Sequence, residues 1–146
     1  MTAPVFVDTN VLIYAIDTAD LAKQSMAQRW RAELWKTRRG RISYQVLQEF
    51  YAKVTQKWAG ARQQAREEVL DLVSWQPVTV DLALIETAWK IQDRYRLSFW
   101  DALIVAAAKS ASCTYLLTED LQGSQKFDGV TVVNPFAHEP AEILGD

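Results

Sequence analysis

The stretch Pro4-Val5-Phe6-Val7-Asp8-Thr9-Asn10-Val11-Leu12-Ile13-Tyr14 decides the fold. Its first part is a short, unbroken apolar run, the pattern of a strand buried on both faces. The run ends abruptly at Asp8. Val11-Leu12-Ile13-Tyr14 then reads as helical, with Asp8 or Thr9 as the candidate N-cap. A buried strand that turns directly into a helix opens a parallel α/β unit.

Outward from this stretch, strand-like and helix-like segments alternate. Asp20 can cap a helix to about Trp35, with Met26, Trp30 and Leu34 at steps of four, and Gly40 marks its end. A short strand at Arg41–Ser43 leads into a third helix with the stripe Val46, Leu47, Phe50, Tyr51, Val54 and Trp58. A fourth helix follows Gly60, with Ala65, Val69, Leu72 and Val73 inward. Pro77–Val80 reads as a strand, after which Asp81 caps a helix carrying Leu84, Ile85, Ala88, Ile91 and Tyr95. Ser98 caps a helix from Phe99 to Lys109, and Thr114–Leu117 and Gly129–Val133 are the last strands. Strands separated by helices predict a parallel sheet covered on both faces. In such sheets ligands bind beyond the carboxyl ends of the strands, where the strand order reverses.

The chain has 146 residues, 49% of them apolar, which suits one domain over residues 1–146 with an ordinary core. One cysteine (Cys113) excludes an internal disulfide and fits a reducing cytosol. With one histidine (His138) besides, no zinc site of four nitrogen or sulfur ligands can be built. A Ser–His–Asp hydrolase would have to use His138, close to the C-terminus. No apolar run approaches the ~18 residues of a membrane-spanning helix. The net charge of −2 averages two unlike halves. Residues 1–66 hold 11 Lys/Arg against 5 Asp/Glu, and residues 67–146 hold 5 against 13. Arg29, Arg31, Lys36, Arg38, Arg39 and Arg41 concentrate the positive charge, either as a solvated helix end or as a surface for a polyanion.

Acids remain as the instrument of any chemistry. Asp8 ends the first strand, and its plain reading is an N-cap. Asp101 lies three residues after Ser98 in a helix that is apolar nearly all round, so its carboxylate is partly removed from water. An isolated charge there costs several kcal/mol, roughly, unless paired. A metal cation is the simplest partner, with Arg94 or Arg96 as the alternative. Asp120, beside Glu119, follows the Tyr115–Leu117 strand and emerges on the same sheet edge as Asp8; its plain reading is an Asx turn. Carboxylates brought together repel and raise one another's pKa, and a divalent cation removes that penalty. Oxygen-only ligands point to Mg2+ or Mn2+. Glu49, with Lys53 at i+4, reads on its own as a solvated ion pair.

Four segments in order carry a family resemblance. They are Val7-Asp8-Thr9-Asn10-Val11-Leu12-Ile13-Tyr14, Ser43–Phe50 (SYQVLQEF), Ser98–Ile104 (SFWDALI) and Leu116–Leu121 (LLTEDL), followed by the closing Gly129–Phe136. The sequence resembles the PIN-domain nucleases and, within them, the VapC-like toxins of prokaryotic toxin–antitoxin pairs. The resemblance implies a three-layer α/β/α fold around a mostly parallel five-stranded sheet. It makes Asp8, Glu49, Asp101 and Asp120 the four acids of a metal pocket lined by Asn10 and Thr118. Asp120 is preferred over Glu119 by the family's threonine-any-aspartate spacing.

The expected chemistry is Mg2+-dependent hydrolysis of RNA phosphodiester bonds by an activated water, with Mn2+ as a substitute. Asp8 and Asp101 are assigned the most direct metal contacts. The Arg29–Arg41 cations are the candidate contacts to the RNA backbone. The resemblance also implies a cytoplasmic prokaryotic protein that forms a homodimer and is captured by a small antitoxin. Trp30 and Trp35 lie about 140° apart on one helix and so cannot both face one core. They are either partly exposed surface residues of the ordinary kind or the candidate antitoxin interface, whereas Trp75 and Trp89 read as core or core edge. Two other readings are carried: a binding domain with a weak site, and an aspartyl-phosphate protein built on Asp8, against which Asn10 stands where an acid is wanted.

Overall fold

The computed structural model describes residues 3–145. The chain opens with β1 (Val5–Val7) and runs through α1 (Thr9–Tyr14) and α2 (Leu21–Thr37) to β2 (Gly40–Arg41). Helices α3 (Tyr44–Lys57) and α4 (Arg62–Leu72) follow, then a 3-10 turn (Val73–Trp75), α5 (Leu82–Tyr95) and α6 (Phe99–Ser110). Strands β3 (Tyr115–Leu117), β4 (Lys126–Phe127) and β5 (Val130–Val133) and the short α7 (Pro140–Leu144) complete the chain.

One five-stranded sheet has the order β2-β1-β3-β5-β4. All neighbours are parallel except β4, which runs antiparallel to β5. Side chains alternate across a strand, yet Val5, Phe6 and Val7 are all buried. Layers therefore cover both faces of the sheet, as the apolar run in the sequence demands.

Local sequence fixes the helix starts. Asp20, Ser43, Asp81 and Ser98 each accept a backbone hydrogen bond, from Lys23, Val46, Leu84 and Asp101 respectively. The α3 stripe is buried at Val46, Leu47, Phe50 and Val54. In α4, Ala65 and Leu72 face inward, but Val73 is exposed because the chain leaves the helix there for the 3-10 turn.

Two expectations need correcting. Pro77–Val80 is not a strand: Val78 makes one bridge to Ser43, with Val78 N donating to Ile42 O and Tyr44 N to Val78 O. Pro77 has no N–H to extend that ladder, and Asp81 already caps α5. The fifth strand is instead Lys126–Phe127, joined to β5 by the turn Asp128-Gly129, both residues at positive φ. Trp89, read as core edge, is 49% exposed.

Trp75 is buried and lies over the backbone of Gly40. A Cβ at Gly40 would stand 2.5 Å from its indole, so only glycine fits. Trp30 is fully buried, and its Nε1 donates to the carbonyls of Pro135 and His138.

The strand order reverses between β1 and β3. In the register Val7 lies beside Leu117, which sets Asp8 next to Thr118 just beyond the carboxyl ends. The backbone continues the pairing, with Asp8 N donating to Leu117 O and Thr118 N to Val133 O.

Candidate active site

Asp8 is 8% exposed and both carboxylate oxygens are engaged. Oδ1 accepts from Thr9 N at 2.7 Å, capping α1. Oδ2 accepts from the Thr118 hydroxyl at 2.9 Å. Thr118, fully buried, also accepts from Asn10 Nδ2 at 3.0 Å and from Asp120 N at 3.1 Å. Asn10 ties the two strand ends together: its Nδ2 donates to Asp120 Oδ2 at 3.1 Å, and its Oδ1 accepts from Glu119 N at 3.3 Å.

Burial pushes the Asp8 carboxyl up to about 6, against the opposing hydrogen bonds from Thr9 and Thr118. The charges of Asp120 and Glu49 push it the same way. Glu49 is thus near enough for its charge to act on Asp8, although its side chain also has Lys53 at 3.9 Å. The contact with Lys53 is the solvated ion pair that the sequence predicts.

Asp101 stands in the first turn of α6. The C-terminal end of that helix leads to Thr114, whose N donates to Pro4 O at the amino end of the sheet. The helix start therefore lies at the carboxyl edge, with Asp101 half-buried there. Its carboxylate makes no hydrogen bond to the other site residues among the described residues. Arg94, the alternative cation, is bonded to Asp128 instead.

The structure settles what holds Glu119. Its carboxylate lies 2.7 Å from Lys23 Nζ, and Lys23 also sits over the rings of Tyr14 and Phe136. Glu119 is turned into this cluster, while Asp120 is turned to Asn10. Lys23 was not singled out in the sequence; a pairing across 96 positions leaves no local pattern.

Among the described residues, no cation lies within ion-pair distance of Asp8, Asp101 or Asp120. No three acidic, His or Cys side chains there close into a cage for a metal ion. The donor set nevertheless fits a hard divalent cation. It is all oxygen, and Mg2+ keeps several waters and needs only one or two carboxylates. The buried thiol of Cys113, pushed up to about 12 by burial, is no rival nucleophile.

The cationic stretch lies elsewhere. Val5 N donates to Arg39 O, which places Arg39 at the amino end of β1, opposite the acids. The buried Arg39 side chain donates to the carbonyls of Ala3 and Leu144. Arg29 is paired with Glu139 and Arg31 with Glu68. Arg41 donates to the carbonyls of Arg38 and Gly40. Lys36 and Arg38 are exposed. The stretch as a whole is therefore not the wall of the acidic cleft. The proposed tryptophan interface is corrected as well: Trp30 is core and cannot reach a partner, whereas Trp35 is 42% exposed.

A buried parallel sheet with carboxylates and hydroxyls gathered at its switch point defines the class. Residues 5–127 match the family model of the PIN domain, and the chain belongs to that family. Among solved structures it is similar to a chain of a toxin–antitoxin complex from Klebsiella pneumoniae, with a TM-score of 0.64 and 20% identity over 92% of this chain and 98% of that one. It is also similar to a chain of VapBC2 from Rickettsia felis bound to a DNA fragment from their promoter, with a TM-score of 0.59 and 16% identity over 88% of this chain and 96% of that one. At these identities the likeness is one of fold. No curated protein matches the sequence significantly.

Proposed function

We propose that this PIN-domain protein is a Mg2+-dependent endoribonuclease that serves as the toxin of a toxin–antitoxin pair. The observation that carries the reading is the Asp8–Thr118–Asn10–Asp120 network, built across the switch point with no cation among the described residues paired to Asp8 or Asp120. Asp8 and Asp101 would hold the divalent ion directly. Glu49 and Asp120 would hold its waters or a second ion.

Each residue of the network has a definable task. Thr118 donates to Asp8 Oδ2 and fixes the carboxylate plane. Asn10 donates to Asp120 Oδ2 and holds that side chain toward β1. Lys23 keeps Glu119 out of the donor set. A bound divalent ion supplies a water acidic enough to attack phosphorus and offsets charge on the phosphoryl oxygens. Without it, four carboxylates repel a phosphate.

The antitoxin reading draws on the fold shared with chains from toxin–antitoxin complexes. Exposed Tyr44, Leu70, Val73 and Trp100 supply apolar surface of the kind that partners cover. No observation favours the aspartyl-phosphate alternative, since Asn10 spends its amide on Asp120.

The decisive experiment is cleavage-site mapping on total RNA in Mg2+, with wild type beside Asp8→Asn and Asp101→Asn. Discrete cleavage by the wild type and at least a hundredfold loss in both variants, with the fold retained, is expected. Full activity of either variant removes that residue from the site, and an inactive wild type removes the function.

A further inference from the structure

The amino edge of the sheet carries a second feature that the acidic site does not use. Trp35, Arg38, Arg41, Ser74, Trp75 and Gln76 line an open pocket of about 470 Å³. Trp75 forms its buried floor, and Trp35 stands beside it with ring centroids 6.2 Å apart. Arg31, already neutralised by Glu68, lies over the Trp35 ring at 5.2 Å and braces it. Trp35 nonetheless stays 42% exposed.

The polar groups of this pocket are available. Among the described residues, no carboxylate lies within ion-pair distance of Lys36, Arg38 or Arg41. Arg41 Nη1 is held by two carbonyls, which fixes its guanidinium at the pocket. Arg38 and Gln76 both take the left-handed backbone conformation there.

A half-exposed indole with one held guanidinium, Arg41, and one exposed guanidinium, Arg38, beside it matches the two halves of a nucleotide. Bases stack on aromatic rings, and guanidiniums bind phosphates in a forked geometry. An acidic peptide would use the cations but leave the indole idle.

We propose that the Trp35–Arg38–Arg41 pocket binds a single-stranded RNA segment remote from the scissile bond, with a base against Trp35 and its flanking phosphates on the two arginines. The identity of the strand rests on the ribonuclease reading; the pocket itself does not. It lies at the sheet edge opposite Asp8, so a bound strand must run along the flank of the molecule to reach both places. Long substrates would gain affinity that short ones lack.

The test is anisotropy of a 5′-labelled 12-nucleotide oligouridylate in EDTA, where binding is read without cleavage. Arg38→Asn combined with Arg41→Gln should weaken binding about tenfold and lower the salt slope by about 1.4, the effect of losing two phosphate contacts on a single strand. Asparagine tolerates the backbone at position 38. Trp35→Ala should weaken the oligouridylate about tenfold but leave an abasic oligomer unchanged, and Trp35→Tyr should restore most of the loss. Asp8→Asn should bind at least as tightly as wild type. Unchanged affinity in the arginine variant overturns the site. Equal loss of the abasic oligomer in Trp35→Ala overturns the stacking. A polyglutamate peptide that binds as tightly as the RNA makes the pocket a peptide site and overturns the proposal. A wild type that binds RNA here yet cleaves none leaves this site standing and removes only the nuclease assignment.

Discussion

Asp8 performs two tasks with one carboxylate. Oδ1 caps the helix that leaves the first strand, and Oδ2 anchors the cluster at the switch point. The N-cap reading of this residue is borne out, and the metal-binding role is the one proposed for the oxygen beside Thr118. Ionising it in the folded apo protein is costly, because its carboxyl is raised to about 6 from an ordinary 3.8. A raised folded-state value means that the folded protein binds more protons than the unfolded chain in this interval. The stabilising contribution is therefore complete below about pH 4 and lost as pH rises through about 6, an effect of about 3 kcal/mol. Metal-free Asp8→Asn should accordingly be more stable than wild type at pH 7, by up to about 3 kcal/mol, with the difference fading toward pH 4. Urea denaturation in EDTA between pH 4 and 8 checks this; parallel pH profiles would contradict it. Mg2+ should raise the melting temperature of wild type and leave that of Asp8→Asn unmoved. At this scale the sequence was most legible. The acids and their companions Asn10 and Thr118 stand in motifs. In the structure Lys23, from another helix, holds Glu119 and leaves Asp120 to Asn10, a difference between the two acids that no local pattern carries.

Among the elements, the helix starts were legible because a cap is a contact over three residues. The sheet edge was less so. Pro77–Val80 has strand composition but no continuous partner, whereas Lys126-Phe127 has little strand signal and pairs because β5 lies open beside it. The turn between β4 and β5 is held by Asp128. Its carboxylate accepts from the Tyr95 hydroxyl at 2.8 Å and meets Arg94 and Lys109 at 2.7 and 3.2 Å. The Tyr95 hydrogen bond, with help from the two cations, keeps this carboxyl below the usual aspartate range. The stability it lends is present at neutral pH and is lost as the solution becomes more acidic than the ordinary aspartate value. Asp128→Ala removes these bonds and puts a Cβ-bearing residue without a side-chain acceptor at positive φ. It should cost about 2–3 kcal/mol. Tyr95→Phe should cost about 1 kcal/mol. Thermal melts compare the two, and a larger loss for Tyr95→Phe would place the turn's support elsewhere.

Over the whole molecule, the division of charge between the sequence halves turns into a division between sheet edges. Asp8 and Glu49 come from the basic half, yet folding sends them to the carboxyl edge and the Arg38–Arg41 loop to the amino edge. The tryptophans divide in the same way between roles. Trp30→Ala should cost about 3–5 kcal/mol, since it empties a fully buried site and strands two carbonyls. Trp35→Ala should cost less than about 1 kcal/mol. Chemical denaturation separates them, and a comparable loss in both would show that Trp35 is structural. The stripe Met26-Trp30-Leu34 put Trp30 on the apolar face of its helix, but the Pro135–His138 segment that takes its indole N–H lies more than 100 positions away and leaves no local pattern.

The bond from Thr118 to Asp8 spans 110 positions, and Thr118 is itself held by Val133. Asp8, Glu49, Asp101 and Asp120 therefore all precede in the chain the strand that closes the network around Thr118. A chain made only as far as Leu121 lacks β5, the strand whose Val133 seats Thr118 beside Asp8.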